Sequence, residues 1–382
     1  MRFNPTLERM STYPFVQLED AKRKAAGRLG ELIDFGVGDP MERTPEFIRR
    51  TLVESISETS SYPKAAGLPD TREAIANWYG RRFGVDVDPD LEVLPSSGSK
   101  EAIFGLAQIA VDRSADKNIV VTTEPGYPIP LRSAELNGCE VLTLPLREEL
   151  GFLPDLGSLD GQTWARIALF WVNYPNNPTG ATAPVTFYED LASRAADHGF
   201  LVASDEAYSE IYFGEPPHSA LEVTDPRNVV VFNTLSKRSA MTGYRSGSIV
   251  ADRSVMAMVK RYRPLAGTAS PEFIQRAAAA AWRDEGHVEE MRSVYAAKRE
   301  LIVPFLSAKG LRVAGGDATF YLWVGTPDGE TEDAFARRLL QRGVVVAPGT
   351  FFGDAGRGYV RIALVPTLEQ CHKAVDLLDD II

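Results

Sequence analysis

One lysine in the sequence sits where its chemistry could change. Thr234-Leu235-Ser236-Lys237-Arg238 leads on to Tyr244-Arg245, and it follows Asn228-Val229-Val230-Val231-Phe232, an apolar β-branched run that reads as a buried strand. A lysine at the mouth of a sheet can lose its charge by desolvation and become a nucleophilic amine, able to form a Schiff base with a carbonyl. Thr234 and Ser236 supply hydroxyls and Arg245 a forked cation, a set that suits a phosphate. Alone, a lysine at a strand end is more often a solvated cation. The other strand ends decide whether Lys237 is more than that.

Three of them carry chemistry-bearing residues. Asn173-Tyr174-Pro175-Asn176-Asn177-Pro178-Thr179-Gly180 follows the apolar run Ile167 to Val172, and an asparagine held between prolines can present a fixed amide to a phenolic oxygen. Asp205 and Tyr208 follow Phe200 to Val202; a carboxylate there can keep a pyridine nitrogen protonated. Glu124-Pro125-Gly126-Tyr127 puts an aromatic ring at a strand-to-helix turn. Each has a plainer reading, as a proline turn or a solvated loop start. At a fourth junction, Ser96-Ser97-Gly98-Ser99-Lys100-Glu101 opens a long apolar helix. That junction is either an anion site of backbone N–H groups or an ordinary helix cap.

The elements that must position these residues alternate. Strands at Asn118 to Thr122, Glu140 to Leu144, Ile167 to Val172, Phe200 to Ala203, Val229 to Phe232 and Ser248 to Val250 are interleaved with helices at Tyr127 to Leu136, Thr186 to His198 and Val255 to Tyr262. This predicts an α/β fold, a mostly parallel sheet with helices on both faces and ligands at its strand ends. One long helical region is expected from Glu272 to about Leu306. After it, strands at Leu311 to Val313, Phe320 to Val324, Val344 to Val346 and Tyr359 to Leu364 make a smaller α+β unit. Residues 2 to 30 read as an irregular arm followed by a basic helix around Leu18 to Arg28. Ile33 to Pro40 reads as a short strand running into a glycine turn. The expected division is an arm with part of the small domain at 1–44, a large domain at 45–285 and a small domain at 286–382.

With 382 residues, two domains are the natural expectation. A formal net charge of −11 argues against a nucleic-acid surface, and two cysteines exclude a disulfide framework or a cysteine-rich metal site. No signal region or membrane-length apolar stretch is visible, so a cytosolic protein is expected.

In order and content these motifs resemble the class I/II aminotransferases of fold type I, from the Gly36-Val37-Gly38 turn to Arg361. The resemblance implies a pyridoxal 5′-phosphate enzyme with an aspartate aminotransferase-like fold, in which Lys237 carries the cofactor and Asp205 pairs with the pyridine nitrogen. By the same likeness Asn177 and Tyr208 meet the ring oxygen and Tyr127 stacks on the ring. Gly98, Ser99, Lys100, Thr234, Ser236 and Arg245 surround the phosphate, with Tyr62 reaching it from the other subunit of a homodimer. Arg361 takes the substrate α-carboxylate, Gly38 packs beside the substrate, and Asn177 borders both. Thr234 stands where many relatives have serine, which keeps the hydroxyl.

Several stretches, among them Ser61 to Gly67, Ser204 to Phe213 and Ser236 to Gly247, look like the N-succinyl-LL-diaminopimelate aminotransferase branch of lysine biosynthesis, with glutamate as amino donor. An aspartate, alanine or aromatic aminotransferase, or a C–S β-lyase of the same fold, would share the cofactor residues. Arg23, Arg132, Arg261 and Arg263 are candidates for a second substrate carboxylate, each read first as a surface cation. Residues before Ile33 leave little room for the helix-turn-helix of an aminotransferase-like regulator.

Overall fold

The computed structural model describes residues 1–59 and 61–380. At its centre is a seven-stranded sheet in the order Val93–Ser96, Gly247–Ala251, Val229–Thr234, Leu201–Asp205, Ile167–Asn173, Ile119–Glu124, Glu140–Pro145. Gly247–Ala251 runs against both of its neighbours, and the remaining pairings are parallel. The strands are apolar on both faces because both faces are covered. Val121, Phe170, Val172, Val202 and Val231 enter one core with Trp78, Tyr79 and Trp282. Their alternates Val120, Leu169, Trp171, Ala203, Val230 and Phe232 enter the other, with Ile103 and Leu106.

Past Gly286 a four-stranded antiparallel sheet, in the order Ala347–Pro348, Tyr359–Ala363, Tyr321–Gly325, Val313–Ala314, forms the smaller α+β unit. Ile33–Asp34 pairs in parallel with Val344–Val345, and Ile33 and Phe35 join the core of this unit beside Phe320, Leu322 and Ile362. The N-terminal segment therefore returns to the end of the chain.

Two expectations need correction. The long helix is two, Glu272–Arg283 and Gly286–Ala308. Asp284 breaks it: its backbone is extended, and its Oδ1 accepts the His287 N–H at 3.0 Å, which starts a new helix. The irregular arm holds a short helix, Pro5–Arg9, and the basic helix expected around Leu18 to Arg28 starts earlier, running Pro14–Leu29; each is opened by a proline whose missing N–H costs nothing in a first turn. Among the described residues no helix is long and apolar enough to cross a membrane.

Candidate active site

Asn173, Asp205 and Thr234 end three adjacent parallel strands. Where the strand ladders stop, a cavity of about 370 Å³ opens between the large sheet and the smaller unit. Parallel strands deliver their last residues to one edge, and this is the edge that collects the chemistry.

Lys237 lies in the one-turn helix Leu235–Arg238, which Thr234 caps by accepting the Ser236 N–H at 3.1 Å. Its Nζ donates to the Gly38 carbonyl across the cavity. Burial pulls the amine down to about 8; Arg361 and Arg245 add to the fall, while Asp39 and Asp205 oppose it. Asp205 is buried, and burial lifts its carboxyl to about 7 against the opposing pull of the Ala207 N–H at 3.3 Å and of Lys237. A carboxylate kept dry, with no cation bonded to it among the described residues, is suited to receive one, and the protonated nitrogen of a pyridine ring has the right charge and donor.

Asn177 donates its backbone N–H to Asn173 Oδ1 at 2.9 Å, and its own Oδ1 accepts Arg361 Nη1 at 3.0 Å. Arg361 is buried; Nη2 donates to the Gly36 carbonyl at 2.7 Å, and the guanidinium lies 4.2 Å from the Tyr321 ring centre and 4.6 Å from that of Phe352. Its Nε has no partner among the described residues. Tyr208 and Tyr321 share a hydroxyl contact of 3.0 Å, and burial pushes the Tyr208 phenol well up, so it stays protonated. A Cβ on Gly38 would lie 1.9 Å from the Tyr321 hydroxyl, so only glycine fits there.

At the other end of the cavity Ser99, Lys100, Thr234, Ser236 and Arg245 share the wall, with Tyr127 beside them. Gly98 has φ +78°, and a Cβ there would come within 2.4 Å of Arg245 Nη2. The glycine thus lets the arginine lie across the start of the Ser99–Ala110 helix. Burial lowers the Lys100 ammonium, and Arg245 adds to this. Hydroxyls, a helix start and two cations in one corner form an anion cup. The residues present fit pyridoxal phosphate: an amine, a carboxylate and a phosphate cup around one cavity.

Of the residues expected at the site, Tyr62 lies elsewhere, with its side chain 100% exposed. Several wall residues were given no role by the sequence reading, among them Asn173, Tyr13, Phe15, Tyr321 and Phe352. Tyr13 and Phe15 stood out only as aromatics around a proline, and nothing local told which way they face. The candidate arginines lie off the cavity wall. Arg23 pairs with Asp20, Arg132 with Glu135, and Arg263 is no surface cation: it is buried against both Glu101 oxygens at 2.9 and 3.1 Å.

The comparisons fit this geometry. The model of the family described as aminotransferase class I and II matches residues 30–378. An LL-diaminopimelate aminotransferase of Dehalococcoides mccartyi is 37% identical over 98% of this chain and 97% of its own length. A solved aminotransferase structure from Neisseria meningitidis superposes with TM-score 0.92 at 36% identity, covering 99% of each chain. A probable N-succinyldiaminopimelate aminotransferase from Thermus thermophilus superposes with TM-score 0.89 at 30% identity, over 96% of this chain and 100% of that one. A lysine, a carboxylate and an anion cup at one sheet edge thus coincide with a match along nearly the whole chain, and the protein belongs to the class I and II aminotransferases, transaminases that depend on pyridoxal phosphate.

Proposed function

We propose that the protein exchanges an amino group between glutamate and the 2-oxo form of a diaminopimelate in the cytosolic synthesis of lysine. The observation that carries the substrate is the end-to-end similarity to the Dehalococcoides enzyme, whose name specifies LL-diaminopimelate. A succinylated diaminopimelate is the second reading, favoured by the name of the Thermus neighbour.

In this reading the residues have separate duties. Pyridoxal phosphate supplies the electron sink that makes the substrate Cα–H acidic. Asp205 would pair with the ring nitrogen and hold it protonated, which keeps that sink charged. Arg361 takes the α-carboxylate in its planar fork and fixes which bond of Cα faces the cavity floor. Lys237 Nζ, with its amine drawn down to about 8, is a base that is substantially unprotonated in mildly alkaline solution, and it takes the Cα proton. Asn177 and Tyr208 would hold the ring oxygen, Tyr127 would stack on the ring, and Gly98, Ser99, Lys100, Thr234, Ser236 and Arg245 would hold the phosphate. Tyr62, exposed and with no role in its own cavity, serves the phosphate of a second subunit in a homodimer.

The deciding experiment is a donor screen with 2-oxoglutarate as acceptor, reading glutamate formed. LL-diaminopimelate should be preferred over its N-succinyl derivative, alanine and phenylalanine. Preference for the succinylated donor would install the second reading. Preference for alanine or phenylalanine would sink both while leaving transamination intact. Release of pyruvate and ammonia from a thioether amino acid, without amino transfer, would replace the transaminase with a lyase.

A further inference from the structure

Asn173 ends the Ile167–Asn173 strand directly opposite Asp205 in the parallel register, so the two side chains leave the same face of the sheet. It is buried on the cavity wall, and both ends of its amide are used. Nδ2 donates to the Asp205 carbonyl at 2.7 Å, and Oδ1 accepts the Asn177 N–H at 2.9 Å. Asn177 Oδ1 in turn accepts Arg361 Nη1 at 3.0 Å, and Arg361 Nη2 reaches the Gly36 carbonyl at 2.7 Å. The hydrogen bonds run unbroken from the peptide of the ring-nitrogen carboxylate to the carboxylate-binding guanidinium. Asn173 is their midpoint.

That placement matters because the strand ladder ends here. Beyond Asn173 a turn containing two prolines begins, whereas past Asp205 the Glu206 N–H still donates to the Phe232 carbonyl of the next strand at 2.8 Å. A side-chain amide that donates to the Asp205 carbonyl and accepts from the following turn ties that turn to a strand end the sheet still holds. We infer that Asn173 is a positioning residue that sets Asp205 and Asn177 together, and through Asn177 sets Arg361, so the cofactor end and the substrate-carboxylate end of the site share one register. The inference rests on the proposed duties of Asp205 and Arg361. A residue serving only to stabilise the turn would change the melting temperature and leave both ends of the site as they were.

The test uses the cofactor-loaded protein and two readouts that need no turnover. One is the pH midpoint of the bound cofactor's near-ultraviolet and visible absorption. The other is the dissociation constant of glutarate, a carboxylate with no amino or oxo group to react. Asn173→Ala should move the midpoint by about half a unit and weaken glutarate about fivefold, the worth of one buried hydrogen bond at each end. Asn173→Asp keeps the acceptor for the Asn177 N–H but loses the donor to Asp205. It should therefore move the midpoint while leaving glutarate within about twofold. If Asn173→Ala melts earlier with both readouts unchanged, or moves only one of them, the coupling is wrong. Should Asn173→Ala fail to fold, the near-isosteric Asn173→Asp decides: an unmoved midpoint, or glutarate lost together with it, overturns the link. Arg361→Ala, measured alongside, separates the two levels. If it binds glutarate as tightly as the parent, the assignment of Arg361 fails, whatever Asn173 does.

Discussion

Lys237 and Asp205 oppose the stability of the protein that carries them. The Lys237 amine lies at about 8 against 10.5 for an ordinary lysine, so between those values the unfolded chain binds more protons and stability rises with pH. The Asp205 carboxyl lies at about 7 against 3.8, so the folded chain binds more protons in that interval and stability falls as pH rises through it. Both penalties are in force between about 7 and 8, which should be where the cofactor-free protein melts lowest. Asp205→Asn should raise the melting temperature of the cofactor-free protein, by a margin that grows from pH 5 to pH 8 in calorimetry, while transamination falls steeply. Arg361 makes a different demand, for shape over charge. Arg361→Lys retains the cation but cannot reach Asn177, Gly36 and a carboxylate together. It should raise KM for the amino acid roughly ten- to a hundredfold, a loss of about 1.5–3 kcal/mol in steady-state kinetics.

The loop from Phe35 to Thr44 shows how one element serves several residues at once. Gly36 and Gly38 offer their carbonyls to Arg361 and Lys237, and Thr44 Oγ1 donates to the Ala240 carbonyl at 2.6 Å. Glu42 holds this loop to the Gly286–Ala308 helix, through the Tyr295 hydroxyl at 2.9 Å and the ammonium of Lys298. Lys298 also donates to the Leu364 carbonyl at 3.2 Å, just beyond the strand that carries Arg361. Glu42→Gln leaves a buried cation without its counter-charge and should cost about 3–5 kcal/mol in denaturant unfolding, with the Glu42→Gln, Lys298→Met double variant recovering part of the loss. None of this pin was visible in the sequence, since Glu42 and Lys298 are 256 residues apart and each alone resembles a surface charge. The legible elements were those with a local cause. Apolar strands between helices gave the parallel sheet, and Lys237, Asp205 and Asn177 stood in motifs at the ends of its strands, whereas Arg361, inside the Tyr359–Ala363 strand of the smaller sheet, was singled out only by the family resemblance. Asn173, Tyr13, Phe15 and Phe352 were not legible, because which way they face is settled by packing between distant segments. The break at Asp284 was hidden by continuous helical periodicity on both sides of one capping carboxylate.

At the scale of the whole molecule, the proposed homodimer can be tested through Tyr62. Its side chain stands clear of the rest of the chain, on a loop rich in proline and glycine. If it serves the neighbouring cavity, a Lys237→Ala protomer and a Tyr62→Ala protomer, each nearly inactive alone, should regain transamination when unfolded and refolded together. In the mixed dimer one site carries both lesions and the other carries none. Recovery no greater than the sum of the separate activities would place Tyr62 outside the partner's site. The N-terminal helix brings a different consequence. Phe15 packs against Phe352 at 5.9 Å between ring centres and lies 5.4 Å from the Arg361 guanidinium, yet the helix that carries it, Pro14–Leu29, buries only Leu18 and Ala25. A protease nick ahead of Leu18 would strip an aromatic wall from beside Arg361 and remove no buried member of the three cores, losing only Tyr13 and Phe15 from the edges of two of them. A partly clipped preparation should therefore look pure and folded by calorimetry while its saturation curve for the amino acid splits into a tight and a loose phase, and intact-mass spectrometry should find the two in proportion to the two chain lengths.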